Sequence, residues 1–370
     1  MSITSFTPPF SPDAVDDLHR RLDRTRWPSP FPPAEWQQGC EREFLQNLCA
    51  YWQHSFDWKM QVDHISTFRH YRFEASGFGV HFIHEPGKGP HPIPIILTHG
   101  WPGSFLEMLR IIPLLTDPAA HGADELDSFD VVVPSLPGYG YSDQPRDLGM
   151  NAGRTADIWA ALMQELGYGK FAAQGGDIGA NVTTFLGLRY PERLLGLHLN
   201  YVPGSYLPYL GSDDRLTSVE SDFLDRAARW RDECGGYSHI QSTRPLTAAY
   251  GLTDSPAGLA GWIVEKFREW SDCDGDVYRR FSKDELLANV TLYWMTGTVY
   301  SSFRMYYETR RSPTQFTEGQ FVKTPCAVAH FPKELPLPPR EWVERSYNIE
   351  KWTEMPRGGH FAAAEEPELL

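Results

Sequence analysis

The stretch Gln174-Gly175-Gly176-Asp177-Ile178-Gly179-Ala180 constrains this chain more than any other. Phe171 to Gln174 reads as a short buried strand, and Val182, Phe185, Leu186 and Leu188 then share one face of a helix that stops at Pro191. Glycines on both sides of Asp177 permit backbone angles that a side chain would forbid. A strand, a tight turn and a helix joined in this way hold the central side chain at the carboxyl edge of a parallel sheet. A carboxylate in that position can attack an electrophilic carbon and leave an alkyl ester that a second step must hydrolyse. The same residues also fit a glycine-rich turn in which Asp177 only caps the helix.

A chain of 370 residues that is 41% hydrophobic and 14% aromatic can bury a large core, and its length suits two domains or one with a large insertion. The formal charge of -14 argues against nucleic acid as a partner, because a polyanion needs a basic stripe and the sequence shows none. Cys40, Cys49, Cys234, Cys273 and Cys326 are scattered and never spaced as CxxC, so neither a disulfide framework nor a zinc site is suggested, and a reducing cytoplasm fits. The first residues lack a basic segment followed by an apolar run, and no apolar stretch approaches the ~18 residues of a membrane span. The chain therefore reads as unanchored and unsecreted.

Residues 1–90 read as a wrapping arm and the first strands. Pro8, Pro9 and Pro12 lead into a helix with Val15, Leu18 and Leu22 on one face, and Trp27 to Pro33 is an irregular, polyproline-like crossing. The runs Thr67 to Ala75 and Val80 to Glu85 predict a hairpin turned by Gly77 and Gly79. Residues 91–203 alternate strand and helix. Ile93 to Thr98 is followed by a helix opened by a capping box of Ser104 and Glu107, with Phe105, Met108, Leu109 and Ile112 facing inward. Asp130 to Val133, a helix around Ile158, Trp159, Leu162, Met163 and Leu166, and Leu194 to Leu199 complete the alternation, which predicts a mostly parallel, helix-covered central sheet. Residues 204–311 lose the strand signal. Ser218 to Trp230, Ser255 to Trp270 and a helix capped by Ser282 and Glu285 predict an inserted helical lid. In residues 312–370 strands return at Thr324 to Phe331 and Lys351 to Met355, joined by the proline-rich loop Pro332 to Pro339.

Ester chemistry at Asp177 needs donors for the charge that develops on its acyl group during hydrolysis, and backbone N–H groups at tight turns supply them. Ile178, next to the nucleophile, is one candidate, and Trp101 in His99-Gly100-Trp101-Pro102-Gly103-Ser104 is the other. His99 itself reads as a structural imidazole, since that turn needs its backbone rather than a base. Hydrolysis also needs a base late in the chain. His360 in Gly358-Gly359-His360-Phe361 is the natural one, the alternative being a surface histidine beside glycines. A carboxylate would hold its tautomer, and Glu334, just past a predicted strand end, is placed either for that role or as a solvated loop charge.

Nucleophile, acid and histidine then follow the chain order of the α/β-hydrolases, whose nucleophile elbow the opening motif resembles. The resemblance narrows further. Arg26-Trp27-Pro28, His99 to Ser104, Ser135-Leu136-Pro137-Gly138-Tyr139-Gly140-Tyr141-Ser142, the elbow, and Gly358 to Pro367 together look like an epoxide hydrolase of the microsomal type, over nearly the whole chain. That resemblance implies an α/β-hydrolase fold with a helical lid and an amino-terminal arm. It also implies Asp177 as nucleophile, His360 as base, Glu334 as its acid partner, and two lid tyrosines that polarise the epoxide oxygen. One matches Tyr237 in Gly236-Tyr237-Ser238-His239-Ile240-Gln241 and the other Tyr306 in Arg304-Met305-Tyr306, with Tyr307 adjacent. Phenols suit the task because they stay neutral donors at pH 7. Outside those motifs, a lid tyrosine is simply an amphipathic wall residue.

Three departures stand out. Ile178 replaces the Trp often found after the nucleophile, which keeps the backbone donor but shrinks the pocket wall. The chain also lacks the membrane anchor of the microsomal enzymes and stops at Leu370, where a longer terminal helix is expected. The resulting expectation is a cytoplasmic hydrolase without metal or organic cofactor, acting on a small-molecule epoxide, with a homodimer left open. Trp262, Phe267, Trp270, Tyr293 and Trp294 suggest a bulky apolar or aryl substrate, or else the lid's own core. The competing readings are a haloalkane dehalogenase using the same aspartate and a ligand-binding homologue without turnover.

Overall fold

Uninterrupted β-branched and aliphatic runs become the centre of the sheet: Val131, Val132, Val133, Ile96 and Leu97 are all at most 1% exposed. The computed structural model describes residues 2–29, 35–75, 77–212, 214–336 and 338–370. Its strands are β1 (Ser2–Ser5), β2 (His70–Ala75), β3 (Phe78–Glu85), β4 (Ile93–Thr98), β5 (Phe129–Pro134), β6 (Phe171–Gly175), β7 (Leu194–Leu199), β8 (Val322–His330) and β9 (Tyr347–Glu354). They form one sheet in the order β1-β2-β3-β5-β4-β6-β7-β8-β9. The first three are antiparallel to their neighbours, and all neighbours from β5 onward are parallel. The expected α/β-hydrolase architecture is the one observed.

Helices α1 (Pro12–Asp23), α2 (Arg42–His54) and α3 (Trp58–Ile65) build the amino-terminal segment. After β4 come a short helix α4 (Ile111–Thr116), then α5 (Ala152–Glu165) and α6 (Asp177–Arg189), which pack on each other. Trp159 of α5 is fully buried and donates its indole N–H to Thr98 Oγ1 at 3.1 Å, which pins that helix beneath the end of β4. Between β7 and β8 the chain makes α7 (Ser218–Glu233), α8 (Gly236–Thr243), α9 (Pro245–Asp254), α10 (Pro256–Trp270), α11 (Lys283–Thr296) and α12 (Val299–Arg311). The short helices α13 (Arg340–Glu344) and α14 (Ala362–Glu365) flank β9. The amino-terminal helices lie against this helical insertion: α2 packs on α10, and the Tyr51 hydroxyl donates to Asp284 Oδ1 at 2.9 Å.

Three expectations need correction. Ser104 and Glu107 form no capping box. The Ser104 hydroxyl accepts from Leu106 N and donates to Asn289 of α11, so residues 105–108 make a 3-10 turn and the α-helix starts only at Ile111. Gly79 lies within β3 rather than in the hairpin turn, because it pairs with Glu74 and its N–H donates to Asp143 Oδ2 at 2.8 Å. The last strand begins at Tyr347, four residues before the expected start, since Val322 of β8 already pairs with Tyr347. Trp27 to Ser29 belong to no helix or strand, and the rest of the expected polyproline crossing, residues 30–33, lies outside the described residues. Among the described residues no helix is long and apolar enough to cross a membrane, and the five cysteines are free.

Trp52 of α2 is completely buried. Trp52→Ala will lower unfolding free energy by about 3–5 kcal/mol in a denaturant titration. A loss below about 1 kcal/mol would show that the amino-terminal segment docks without being part of the core.

Candidate active site

Asp177, Glu334, His360 and the Trp101 amide come from the carboxyl edge of the parallel strands, where ligands of open α/β sheets sit. β6 ends at Gly175 and α6 begins at Asp177, whose φ of 48° places a side-chain-bearing residue in the left-handed region at a cost of about 1–2 kcal/mol. Two close approaches hold it there. A Cβ on Gly179 would stand 2.0 Å from the Thr98 carbonyl oxygen, and one on Gly100 would stand 2.3 Å from the Asp177 Cβ. The elbow and the loop after β4 therefore touch backbone to backbone, and the Trp101 N–H donates to Asp177 Oδ1 at 2.8 Å.

On the other side of the carboxylate, His360 Nε2 lies 3.6 Å from Asp177 Oδ2, and His360 Nδ1 contacts Glu334 Oε1 at 2.7 Å. Glu334 is 2% exposed and also accepts the Leu335 N–H. Burial raises the pKa of Asp177 above the usual carboxylate value, opposed by His360 and by the backbone amides of Trp101 and Ile178. For His360, burial disfavours the imidazolium, but the carboxylates of Glu334 and Asp177 outweigh it and push the group up to about 9. His99 behaves otherwise. It contacts Gly100 O through Nδ1, its Nε2 accepts from Leu136 N, and burial pulls it down to about 4, as a structural imidazole requires.

The lid supplies Tyr237 from α8 and Tyr306 from α12, with ring centroids 5.9 Å apart. Trp101 joins them to the core: its indole stacks on Tyr237 at 5.1 Å and 8° and meets Tyr306 edge-on at 5.7 Å. Burial holds both phenols neutral by raising them above their ordinary value, and Asp177 adds to the effect on each. Arg304, two residues before Tyr306, donates to the carbonyls of Pro145 and Asp147, fixing α12 to the loop below it. All seven expected residues, Asp177, His360, Glu334, Tyr237, Tyr306, Trp101 and Ile178, thus lie in one connected region. Tyr307, the alternative to Tyr306, instead lies under the Arg311 guanidinium.

Several participants carried no local signal. The Trp270 carbonyl accepts the His360 N–H at 3.0 Å and its ring meets the imidazole edge-on at 5.2 Å, so a residue named only as lid aromatic helps set the base. Tyr201 meets the same imidazole edge-on at 5.5 Å. Asn289 and Tyr293, one turn apart on α11, donate to the carbonyls of Pro102 and Gly103 at 2.8 Å each and clamp the turn that presents the Trp101 amide. Their spacing on one helix face could have been noticed, but not their target. Among the described residues no cluster suited to a metal ion exists.

An elbow aspartate with a facing amide, a late histidine held by an acid and a helical insertion define an α/β-hydrolase, and residues 93–215 match the alpha/beta hydrolase fold family. Residues 3–108 match the epoxide hydrolase N-terminus family. The chain is 38% identical to Epoxide hydrolase 1 of Oryctolagus cuniculus over all of its own length and 87% of that protein. It superposes on the crystal structure of juvenile hormone epoxide hydrolase from the silkworm Bombyx mori with a TM-score of 0.85 at 31% identity, covering 100% of this chain and 91% of that one. The Aspergillus niger epoxide hydrolase structure gives the same TM-score at 29% identity, covering 100% and 94%. The chain belongs to the epoxide hydrolase family.

Asp177→Asn removes a negative charge that raises His360. The imidazole of the variant will therefore titrate at lower pH than the wild type's when followed by NMR of the ring nitrogens. Identical titration curves would mean that the two side chains are not coupled.

Proposed function

We propose that this chain hydrolyses an epoxide to a vicinal diol through an ester on Asp177. The observation that carries the reading is the placement of two neutral phenols, Tyr237 and Tyr306, in the same aromatic box as a carboxylate whose other side faces a histidine–glutamate pair. In the first step Asp177 Oδ2 attacks an epoxide carbon, and the C–O bond breaks as the phenols donate to the departing oxygen. Oδ1 stays on the Trp101 amide. Ester formation removes the charge of Asp177, so His360 loses part of what held it protonated and becomes a neutral base, its proton replacing the one that the phenols gave to the departing oxygen. His360 Nε2 then takes a proton from water, whose oxygen adds to Asp177 Cγ. Glu334 stabilises the imidazolium, and the Trp101 and Ile178 amides hold the oxyanion at Oδ1. Collapse expels the diol oxygen, which takes the proton from His360, and the solvent oxygen remains on Asp177, whose carboxyl proton returns to the imidazole.

Trp101, Phe303, Trp262 and Trp270 surround this point and support a bulky apolar or aryl epoxide. Residues 204–311 serve as the lid and residues 1–90 as its brace. Free, scattered cysteines support a cytoplasmic setting. The buried indole N–H groups of Trp101 and Trp270 have no partner, a feature that a departing halide would use, so a haloalkane is the control substrate.

Styrene oxide will be converted to its diol with no chloride released from a chloroalkane. Asp177→Asn will abolish steady turnover. Single turnover in ¹⁸O-water will place the label on Asp177, whereas label found only in the first diol would sink the covalent route. Removing both phenols (Tyr237→Phe with Tyr306→Phe) will slow ester formation by about 10²–10⁴-fold in stopped flow, and an unchanged rate would remove them from the mechanism.

A further inference from the structure

The ester's water needs two acceptors: one takes the proton that leaves, and a second holds the remaining hydrogen so that the oxygen lone pair faces Asp177 Cγ. His360 is the first. A small chamber behind the nucleophile is lined by Asp177, His360, Gly100, Asn200, Ala363 and Glu107, with about 10 Å³ open to a water's centre, roughly the room that one molecule needs. Among the described side chains lining it, Glu107 carries a buried acceptor with no partner, Oε1. A Cβ on Gly103 would fall 1.1 Å from that oxygen, so the glycine leaves the space that the carboxyl fills. A second cavity of about 150 Å³, bordered by Gln61, His64, Leu109 and Arg110, has Glu107 in its wall too. The same side chain thus separates the chamber from a cavity rimmed by the exposed residues His64 and Arg110.

We propose that Glu107 is the water-positioning residue of the second half-reaction, accepting one hydrogen of the hydrolytic water through Oε1 while His360 takes the other. The assignment rests on the ester mechanism proposed above. Burial pushes the Glu107 carboxyl up to about 8, opposed by His360 and reinforced by Asp177 and Glu365. It is therefore mostly uncharged at neutral pH and accepts through a carbonyl oxygen without adding a further anion beside Asp177 and Glu334.

The test is rapid-quench single turnover with styrene oxide, following the covalent adduct on Asp177 by mass spectrometry in wild type, Glu107→Met and Glu107→Gln. Glu107→Met keeps the length but loses the acceptor; ester formation will proceed at the wild-type rate while its decay slows about 10- to 100-fold, so the adduct accumulates. Glu107→Gln retains a side-chain carbonyl and will restore most of the decay rate. Equal slowing of both steps in Glu107→Met would indicate a merely structural role, and unchanged decay would show that the water is held elsewhere; either overturns the proposal. Absence of any adduct in the wild type would instead refute the ester mechanism itself.

Discussion

The contact on which the rest of the site depends is the 2.8 Å hydrogen bond from the Trp101 amide to Asp177 Oδ1. To make it, two turns from non-adjacent segments must meet with no side chain between them, and Gly100 and Gly179 provide that clearance. The parallel register of β4 and β6, which sets Thr98 opposite Gly175, brings the turns to the same height. Oδ1 is thereby committed to the amide and Oδ2 left toward His360, so the two oxygens are distinguished before any substrate arrives. Trp101 extends the same constraint upward, because its ring carries both lid tyrosines while its backbone carries the nucleophile. A residue with a smaller ring would keep the amide but give the phenols less to pack on.

Charge balance is the second constraint. Four buried carboxyls, Asp177, Glu334, Glu107 and Glu365, act on a single imidazole, His360. Fully ionised, such a group would be strongly repulsive in a medium of low dielectric. The structure divides the burden. Glu334 has the imidazole and a backbone amide, and Asp177 has two amides, whereas burial pushes Glu107 up to about 8 and Glu365 to about 7. Glu365 also accepts the backbone amides of Asp272 and Phe361, yet burial still raises it, whereas Glu107 Oε1 has no donor. The histidine is correspondingly favoured in its charged form by the two carboxylates it faces, Glu334 and Asp177.

Features written in short contiguous motifs were legible in the sequence. Asp177 with its glycines, His360 after Gly358-Gly359, and the strand and helix alternation around them follow from local turn chemistry and periodicity. Glu334 was ambiguous until the family resemblance was added, since a carboxylate after a strand end has two ordinary uses. Glu107 was misread because a serine followed three residues later by glutamate is a valid capping signal, and only the lid's Asn289, 185 residues away in sequence, diverts the serine. β1 was invisible as well: its four residues, Ser2–Ser5, gain strand identity only by pairing with β2. The helices α8 and α12, which carry Tyr237 and Tyr306, were anticipated as lid but not delimited.

The catalytic loop owes its position to the lid as much as to the sheet. The His360 N–H is donated to Trp270 O, the Gly358 N–H to Asp272 Oδ2, and the Asp272 N–H to Glu365 Oε2. Arg280 reaches both Asp272 and Glu366, so the segment after α10 and the chain's last turn are interlocked. Asn289, Tyr293, Ser301 and Arg304 tie α11 and α12 to the loops at Pro102, Gly138 and Pro145. An insertion attached at so many points around Asp177 cannot lift away as a rigid body without releasing His360 and the Trp101 amide together. Folding has therefore already fixed the distances among Asp177, His360, Tyr237 and Tyr306, and ligand binding need not supply that order. Access to the site must come from side-chain or single-helix motion inside this frame, because wholesale opening would dismantle it.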